Sequence, residues 1–333
     1  MRALLLREAA TPAKVEQVED PQAAAGELVV SIRAAALNHR ELWIGRGLYP
    51  GMKLPTTMGA DGAGVVTSVG SGVDPARIGE EVVLYPGLQW GDDPRFPAAA
   101  FGLLGMPGPG TVAEQIAVPA ASALPKPAHL DFLQAAALPL AGLTAWRGLV
   151  TKAELRAGER LLITGVGGGV AAQALGLAVA MGAEVWVTSG SEETIEWAKA
   201  NGAAGGVNYK AEGWNKQLAK AAGPIDAVFD GAPASAYPGY GRALAMGARV
   251  VVYGSTGNPV FAVNAPELFL KNLRLVGSNV GNPEEFAAML RFVDEHRLVP
   301  EVERTFPLEQ AADALAYLEG GHVRGKIVID VGG

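Results

Sequence analysis

The stretch Leu161–Val187 reads LLITGVGGGVAAQALGLAVAMGAEVWV, and its interpretation decides the fold. Only Thr164, Gln173 and Glu184 interrupt its apolar and small residues, so hydropathy alone allows a membrane-spanning segment. The order of the residues argues against that. Both ends are rich in β-branched or large apolar side chains, Gly165, Gly167, Gly168 and Gly169 cluster behind the first end, and the middle is mostly small. That order describes a buried strand, a tight turn, a buried helix and a second buried strand. Backbone N–H groups and the helix dipole at such a turn favour a pyrophosphate, whose approach side chains would block. The strict G-x-G-x-x-G spacing is not met, and only G-x-G-x-x-A fits, from Gly167. Close helix-on-sheet packing without a ligand would also use these glycines. The complete strand, turn, helix and strand order favours dinucleotide binding.

Outward from this unit the alternation continues. Strands are expected at 160–164, 184–188, 225–230, 249–253 and 274–277, with helices between them. Ser191, with Glu193 and Thr194 behind it, opens a helix that Gly202 closes. Such alternation specifies a doubly wound α/β domain with a parallel sheet covered on both faces. The first third differs: short antiparallel strands at 28–34, 63–69, 81–85 and 112–118 are broken by Gly and Pro, with a long loop over 86–110. A helical stretch covers 132–149, and the tail carries helices near 283–296 and 308–319 and a strand at 326–331. The expected division is 1–123 for the first part of a mostly β domain, 124–280 for the nucleotide domain and 281–333 for the return to the first.

Composition narrows the chemistry. With 333 residues, 49% of them hydrophobic and 18% charged, the chain supports about two compact domains. A net charge of -7 gives no electrostatic footprint for nucleic acid. There is no cysteine, which removes disulfides, thiolate nucleophiles and thiolate metal sites. The four histidines, His39, His129, His296 and His322, form no close pair, so a metal site would depend on carboxylates. The N-terminal MRALLLREAATPAKVEQ has too short an apolar run for an export signal, so the expected location is the cytoplasm, with no membrane partner.

The end of the second strand selects the coenzyme. An acidic residue there would bond a free ribose 2′-hydroxyl, but this chain has Thr188-Ser189-Gly190-Ser191. Hydroxyls without a carboxylate leave room for a 2′-phosphate and favour NADP(H) over NAD(H). Ser191 acting only as a helix cap, with Glu192 and Glu193 close behind and no Arg or Lys in the turn, is the alternative.

Asn38-His39-Arg40-Glu41, LPTTMGADGAGVVTSVGSGV from Leu54, AAALPLAGLTAWRGL from Ala135, LITGVGGGV, VNYK at Val207 and VVYGS at Val251 together resemble the medium-chain dehydrogenase/reductase superfamily over essentially the whole chain. The resemblance implies a GroES-like catalytic domain built from both chain ends, a Rossmann domain between them and a nicotinamide coenzyme. Zinc-dependent alcohol dehydrogenases of the superfamily carry a cysteine ligand where this chain has Asn38. Their Gly-His-Glu corresponds to Gly59-Ala60-Asp61, and a later cysteine ligand to Leu140. Residues 86–110 match their structural-zinc lobe in position but hold no cysteine. The chain is therefore similar to the zinc-free quinone oxidoreductase branch, with NADP(H) and no zinc expected.

By the same resemblance, Asn38 lies beside the nicotinamide ribose and substrate, Thr144 and Val170 pack at the nicotinamide, and Gly254 and Ser255 line its carboxamide edge. Asn279 and Val280 face the same region, and Tyr209 approaches the adenosine phosphate, while the usual turn lysine corresponds to Thr194. Tyr49 and Arg40 are candidates for orienting or protonating the substrate, against the alternatives that Tyr49 closes a turn before Pro50, Arg40 is solvated and Asn38 only bonds backbone. Three functions follow: a metal-independent NADPH-dependent reductase of quinones or enones, an alcohol dehydrogenase, or a nucleotide-binding protein without turnover. The resemblance also implies a homodimer, and the apolar strands at 250–252 and 273–276 could extend the sheet across its two-fold axis.

Overall fold

The computed structural model describes residues 1–321 and 323–332, so His322 lies outside the described residues. The chain forms two compact units, one made of Met1–Leu143 and Gly281–Gly333, the other of Thr144–Val280.

The second unit carries a parallel sheet, as the alternation predicts, but of six strands where five were expected. Its spatial order is Gly205–Asn208, Glu184–Ser189, Arg160–Ile163, Ile225–Asp230, Leu244–Val252 and Arg274–Gly277. Strand order thus reverses beside Arg160–Ile163, where such sheets bind ligands at their carboxyl ends. Leu161, Leu162 and Ile163 are fully buried, as a strand covered on both faces requires. The helix Gly169–Ala180 follows the glycine turn and is only 12 residues long, so Leu161–Val187 does not span a bilayer. Among the described residues no helix is long and apolar enough to cross a membrane. The strand Gly205–Asn208 was not expected: two glycines and four residues give too little alternation to detect.

The first unit is built on a seven-stranded sheet around the long strand Glu27–Leu37. That strand pairs antiparallel with Asp61–Val69, with Gln115–Pro119 and with the C-terminal strand Lys326–Asp330. Both chain ends therefore meet in one sheet. Apolar side chains of Leu4, Leu28, Ile32, Val82, Ile327 and Ile329 close one continuous core beneath it.

Three details differ from the expectations. The second unit begins at Thr144 rather than 124, because the helix Phe132–Ala136 packs on the first unit's sheet and the Leu140 N–H donates to Asp61 Oδ1 at 2.7 Å. The helical stretch 132–149 is divided into Phe132–Ala136, Pro139–Trp146 and a π-helical turn Arg147–Lys152. Pro139 has no N–H to continue the first helix and starts the second. The loop 86–110 contains one short antiparallel pair, Gly87–Leu88 with Gly102–Leu103.

Candidate active site

In the second unit the candidate residues gather at the carboxyl ends of the parallel strands. Gly165 leaves the first strand at φ +61°, a conformation that side-chain-bearing residues adopt only with strain. Its N–H donates to Thr188 Oγ1 at 3.2 Å, and the Val166 N–H donates to the Thr188 carbonyl at 3.0 Å, which fastens the turn to the neighbouring strand. Gly168 caps the helix Gly169–Ala180, and its own N–H donates to the Gly165 carbonyl at 3.1 Å. A Cβ added at Gly168 would meet only that carbonyl oxygen, 3.7 Å away. The space before the turn is thus open, and the first-turn N–H groups of Gly169, Val170 and Ala171 have no acceptor within the helix. Such a cradle suits a pyrophosphate.

Beneath the turn, Asp230 is fully buried at the end of the adjacent strand. Its Oδ1 accepts from Thr164 Oγ1 at 2.7 Å and from the Ala232 N–H at 2.8 Å, and its Oδ2 accepts from the Tyr240 hydroxyl at 2.6 Å. Burial, and secondly the Asp230 charge, push the Tyr240 and Tyr253 hydroxyls above the ordinary tyrosine range, so both stay protonated donors. Tyr253 stacks on Phe229 with centroids 4.1 Å apart, and Gly254 and Ser255 follow it. Asn279 and Val280 follow the next strand, Arg274–Gly277, and so lie at the same edge of the sheet. Thr144 is buried near the end of the helix Pro139–Trp146.

At the end of the second strand, Ser189 Oγ accepts from the Ser191 N–H at 3.2 Å, and Ser191 Oγ accepts from the Thr194 N–H at 3.3 Å. Ser191 therefore does cap the helix Glu192–Ala200, while its hydroxyl hydrogen stays free to donate. Glu192 Oε1 accepts from Asn208 Nδ2 at 2.9 Å, which holds that carboxylate on its neighbour. A Cβ at Gly190 would fall 2.7 Å from Tyr209 Oη and 2.8 Å from Lys210 Cε. Both side chains therefore lie over Gly190. Sequence reasoning gave Lys210 no role, because the pairing of Ser189 with Asn208 that brings it there depends on the undetected strand.

In the first unit, Asn38 follows the long strand and caps the helix His39–Gly45, and its N–H donates to Glu41 Oε2 at 2.7 Å. Asn38 Nδ2 donates to Asp61 Oδ2 at 2.8 Å, and Lys326 Nζ donates to Asn38 Oδ1 at 2.5 Å. Lys326 Nζ also donates to Asp61 Oδ2 at 2.9 Å and to the Leu37 carbonyl at 2.7 Å. Register explains the meeting: Leu37 pairs with Ile327 and Ala36 with Asp61, so the ends of three strands converge beside Asn38. The sequence offered no sign of Lys326, and Asp61 was noted only as a departure from the family pattern.

Arg40 is buried rather than solvated, at 7% exposure. Its Nη1 donates to Glu41 Oε1 at 3.0 Å and to the Leu104 carbonyl at 2.8 Å, and its guanidinium lies 4.9 Å from the Tyr49 ring centroid. Nε makes a long contact of 3.4 Å with Tyr49 Oη, and Nη2 has no hydrogen-bond partner among the described residues. Burial pushes the Glu41 carboxyl pKa up, and the Arg40 charge opposes that shift. His39 keeps solvent contact, yet surrounding protein and, secondly, the Lys326 charge hold its imidazole pKa below the ordinary value.

Comparison with known proteins fits this arrangement. The family profile described as alcohol dehydrogenase GroES-like domain matches residues 24–128, and that of zinc-binding dehydrogenase matches residues 169–295. The chain is 36% identical to the zinc-type alcohol dehydrogenase-like protein YogA of Leptosphaeria maculans, over 96% of this chain and 95% of that protein. It is 28% identical to quinone oxidoreductase of Rattus norvegicus, over 94% of this chain and 92% of the relative. A crystal structure of an NAD-dependent alcohol dehydrogenase matches with a TM-score of 0.94 at 37% identity, covering all of both chains. A GroES-like unit closed by both chain ends, a parallel sheet with its glycine turn, and full-length relatives of this kind make the chain an oxidoreductase of the medium-chain dehydrogenase/reductase superfamily.

Proposed function

We propose that the protein is a metal-independent, NADP(H)-dependent oxidoreductase that transfers hydride to a quinone or an enone-type double bond. The observation that carries the coenzyme choice is Lys210 and Tyr209 lying over Gly190 at a strand end without a carboxylate. The turn fits the coenzyme: an added Cβ at Gly168 would point into open space, and the helix N-terminus behind it offers unpaired donors. Gly167, Gly168, Gly169 and Val170 would hold the pyrophosphate, and Ser189, Gly190, Ser191, Tyr209 and Lys210 the adenosine phosphate. Thr144, Val170, Gly254, Ser255, Asn279 and Val280 would contact the nicotinamide. When bound, the dihydronicotinamide supplies a hydride.

Zinc does not fit. Leu140 has no donor side chain, Ala60 has none either, and the oxygens of Asn38 and Asp61 are already engaged. A site without a Lewis acid lacks several kcal/mol of alkoxide stabilisation, which disfavours simple alcohols. A conjugated carbonyl needs chiefly a hydrogen-bond donor and a proton. The second amide hydrogen of Asn38 would donate to the carbonyl oxygen. Tyr49, whose oxygen faces Arg40 Nε, would donate its hydroxyl proton or orient the acceptor, and Arg40 Nη2 offers a further N–H. The quinone oxidoreductase relative supports this substrate class.

A second reading, alcohol oxidation, is favoured by the likeness to the NAD-dependent alcohol dehydrogenase structure. Titrating the protein with NADPH and NADH, then following oxidation of the tighter binder with 1,4-benzoquinone, enones and aldehydes, separates the two. Tight NADPH binding with turnover of quinone or enone is expected. Binding of neither coenzyme refutes the proposal, and about one firmly held zinc per chain with aldehyde turnover replaces it by the second reading. Tight binding without turnover would indicate a protein that only senses nucleotide.

A further inference from the structure

We infer that the ammonium of Lys326 is the resident cation of the catalytic unit, and that with Asp61 it fixes the side-chain amide of Asn38 in the orientation that presents one N–H to substrate. This rests on the proposed role of Asn38 and adds two positioning residues to it.

The chemistry of the cluster is closed except at one place. The ammonium has three N–H bonds and faces three acceptors: the Leu37 carbonyl, Asn38 Oδ1 and Asp61 Oδ2. Lys326 is 3% exposed and Asp61 is fully buried, so water contributes little to holding either charge. The other carboxylate oxygen, Asp61 Oδ1, accepts the Leu140 N–H, and the Asp61 carbonyl accepts from Thr111 Oγ1 at 2.7 Å. The oxygens that a divalent ion would require are thus occupied by an internal monovalent donor. The family profile that matches the chain is described as zinc-binding, and the Lys326 contacts show why these residues do not suit that ion.

The same bonds orient the amide. A carboxylate cannot donate and an ammonium cannot accept, so Asp61 selects the Nδ2 end of Asn38 and Lys326 selects the Oδ1 end. A flipped amide would place like poles against both charges. Of the two Nδ2 hydrogens one is used by Asp61, which leaves the other as a preset donor whose direction is fixed before substrate arrives. Lys326 and Asp61 act through Asn38, since both are enclosed and neither needs to touch the acceptor.

The test compares wild type with Lys326→Ala, using NADPH and 1,4-benzoquinone and adding methylammonium or, as control, tetramethylammonium, which cannot donate. Loss of the preset amide is expected to lower kcat on the order of 100-fold, with KM changed little and the NADPH Kd within about twofold of wild type. Methylammonium is expected to restore at least about tenfold of that loss in a saturable way, which a general packing defect would not allow. The control salt should restore nothing. A kcat within about fivefold of wild type overturns the inference. A larger loss with no methylammonium rescue in a folded variant also overturns it.

Should Lys326→Ala not fold, Lys326→Gln carries the test, since it keeps a hydrogen-bond donor without the charge. A loss greater than about fivefold at unchanged NADPH Kd supports the inference, and a smaller one overturns it. Should wild type turn over no acceptor, the parent reading has failed, and thermal unfolding decides. Methylammonium should then raise the midpoint of Lys326→Ala and leave wild type unmoved, and equal responses overturn the cation site.

Discussion

Lys210→Met is the most direct probe of coenzyme choice, because it removes one charge while keeping an unbranched side chain over Gly190. NADPH differs from NADH by a 2′-phosphate, so a lysine that contacts this group should matter to one coenzyme and not to the other. A hydrogen bond to a charged group contributes about 1.5–3 kcal/mol where solvent is excluded. Lys210 is exposed, so screening lowers the expectation to about 1.4 kcal/mol, a tenfold change in Kd. Tyr209 and Ser191 should retain the remaining affinity. The assay is fluorescence titration of wild type and variant with each coenzyme at about 0.05 M and about 0.5 M salt, which spans strong to weak screening of an exposed charge. Wild type should prefer NADPH, lose much of that preference at high salt, and lose it in the variant at low salt, while NADH binding stays the same. An NADPH to NADH ratio unchanged by the substitution would show that Lys210 does not read the phosphate. A parallel fall for both coenzymes would point to a disturbed turn instead.

Two further outcomes can be checked. Tyr240→Phe removes the donor to Asp230 Oδ2 inside the second unit, and the buried carboxylate then lacks a partner on that side. Chemical denaturation should show a loss of about 1.5–3 kcal/mol, and an unchanged midpoint would refute the coupling. His39 has its folded-state pKa lowered by burial and the Lys326 charge, so the unfolded chain, titrating near pH 6.5, takes up the proton first as pH falls. This contribution is therefore neutral above that pH and costs stability below it. His39→Gln should lose less stability than wild type between about pH 7 and pH 5, and an imidazole midpoint at or above about 6.5 by NMR would contradict the sign.

Strand pairing also leaves an edge to be tested. Arg274–Gly277 is the last strand of the parallel sheet, with Leu275 37% exposed on it and Phe269 and Leu270 exposed on the helix before it. We propose that a second copy covers this edge, in line with the homodimer that the family resemblance implies. Sedimentation of wild type as a monomer at micromolar concentration would refute that.

The sequence by itself determined the glycine turn and the central strands and helices of the nucleotide unit. Gly165 to Gly169 between two buried strands, and Ser191 ahead of its helix, act within a few residues of themselves, so their backbone requirements show in local order. It also determined which chemistry was absent, since a chain without cysteine and with Leu140 cannot supply thiolate there. The start of the second unit was not legible, because Phe132–Ala136 has a helical pattern whichever unit it packs on. Tertiary structure alone decided the polar cluster. Asn38 directly follows one strand while Asp61 and Lys326 begin two others, and each reads locally as an ordinary strand end. Only the registers Ala36 with Asp61 and Leu37 with Ile327 bring the two charges to opposite ends of one amide. Pairing of distant strands follows from burying a whole sheet face, a property of the assembled core that no local stretch encodes.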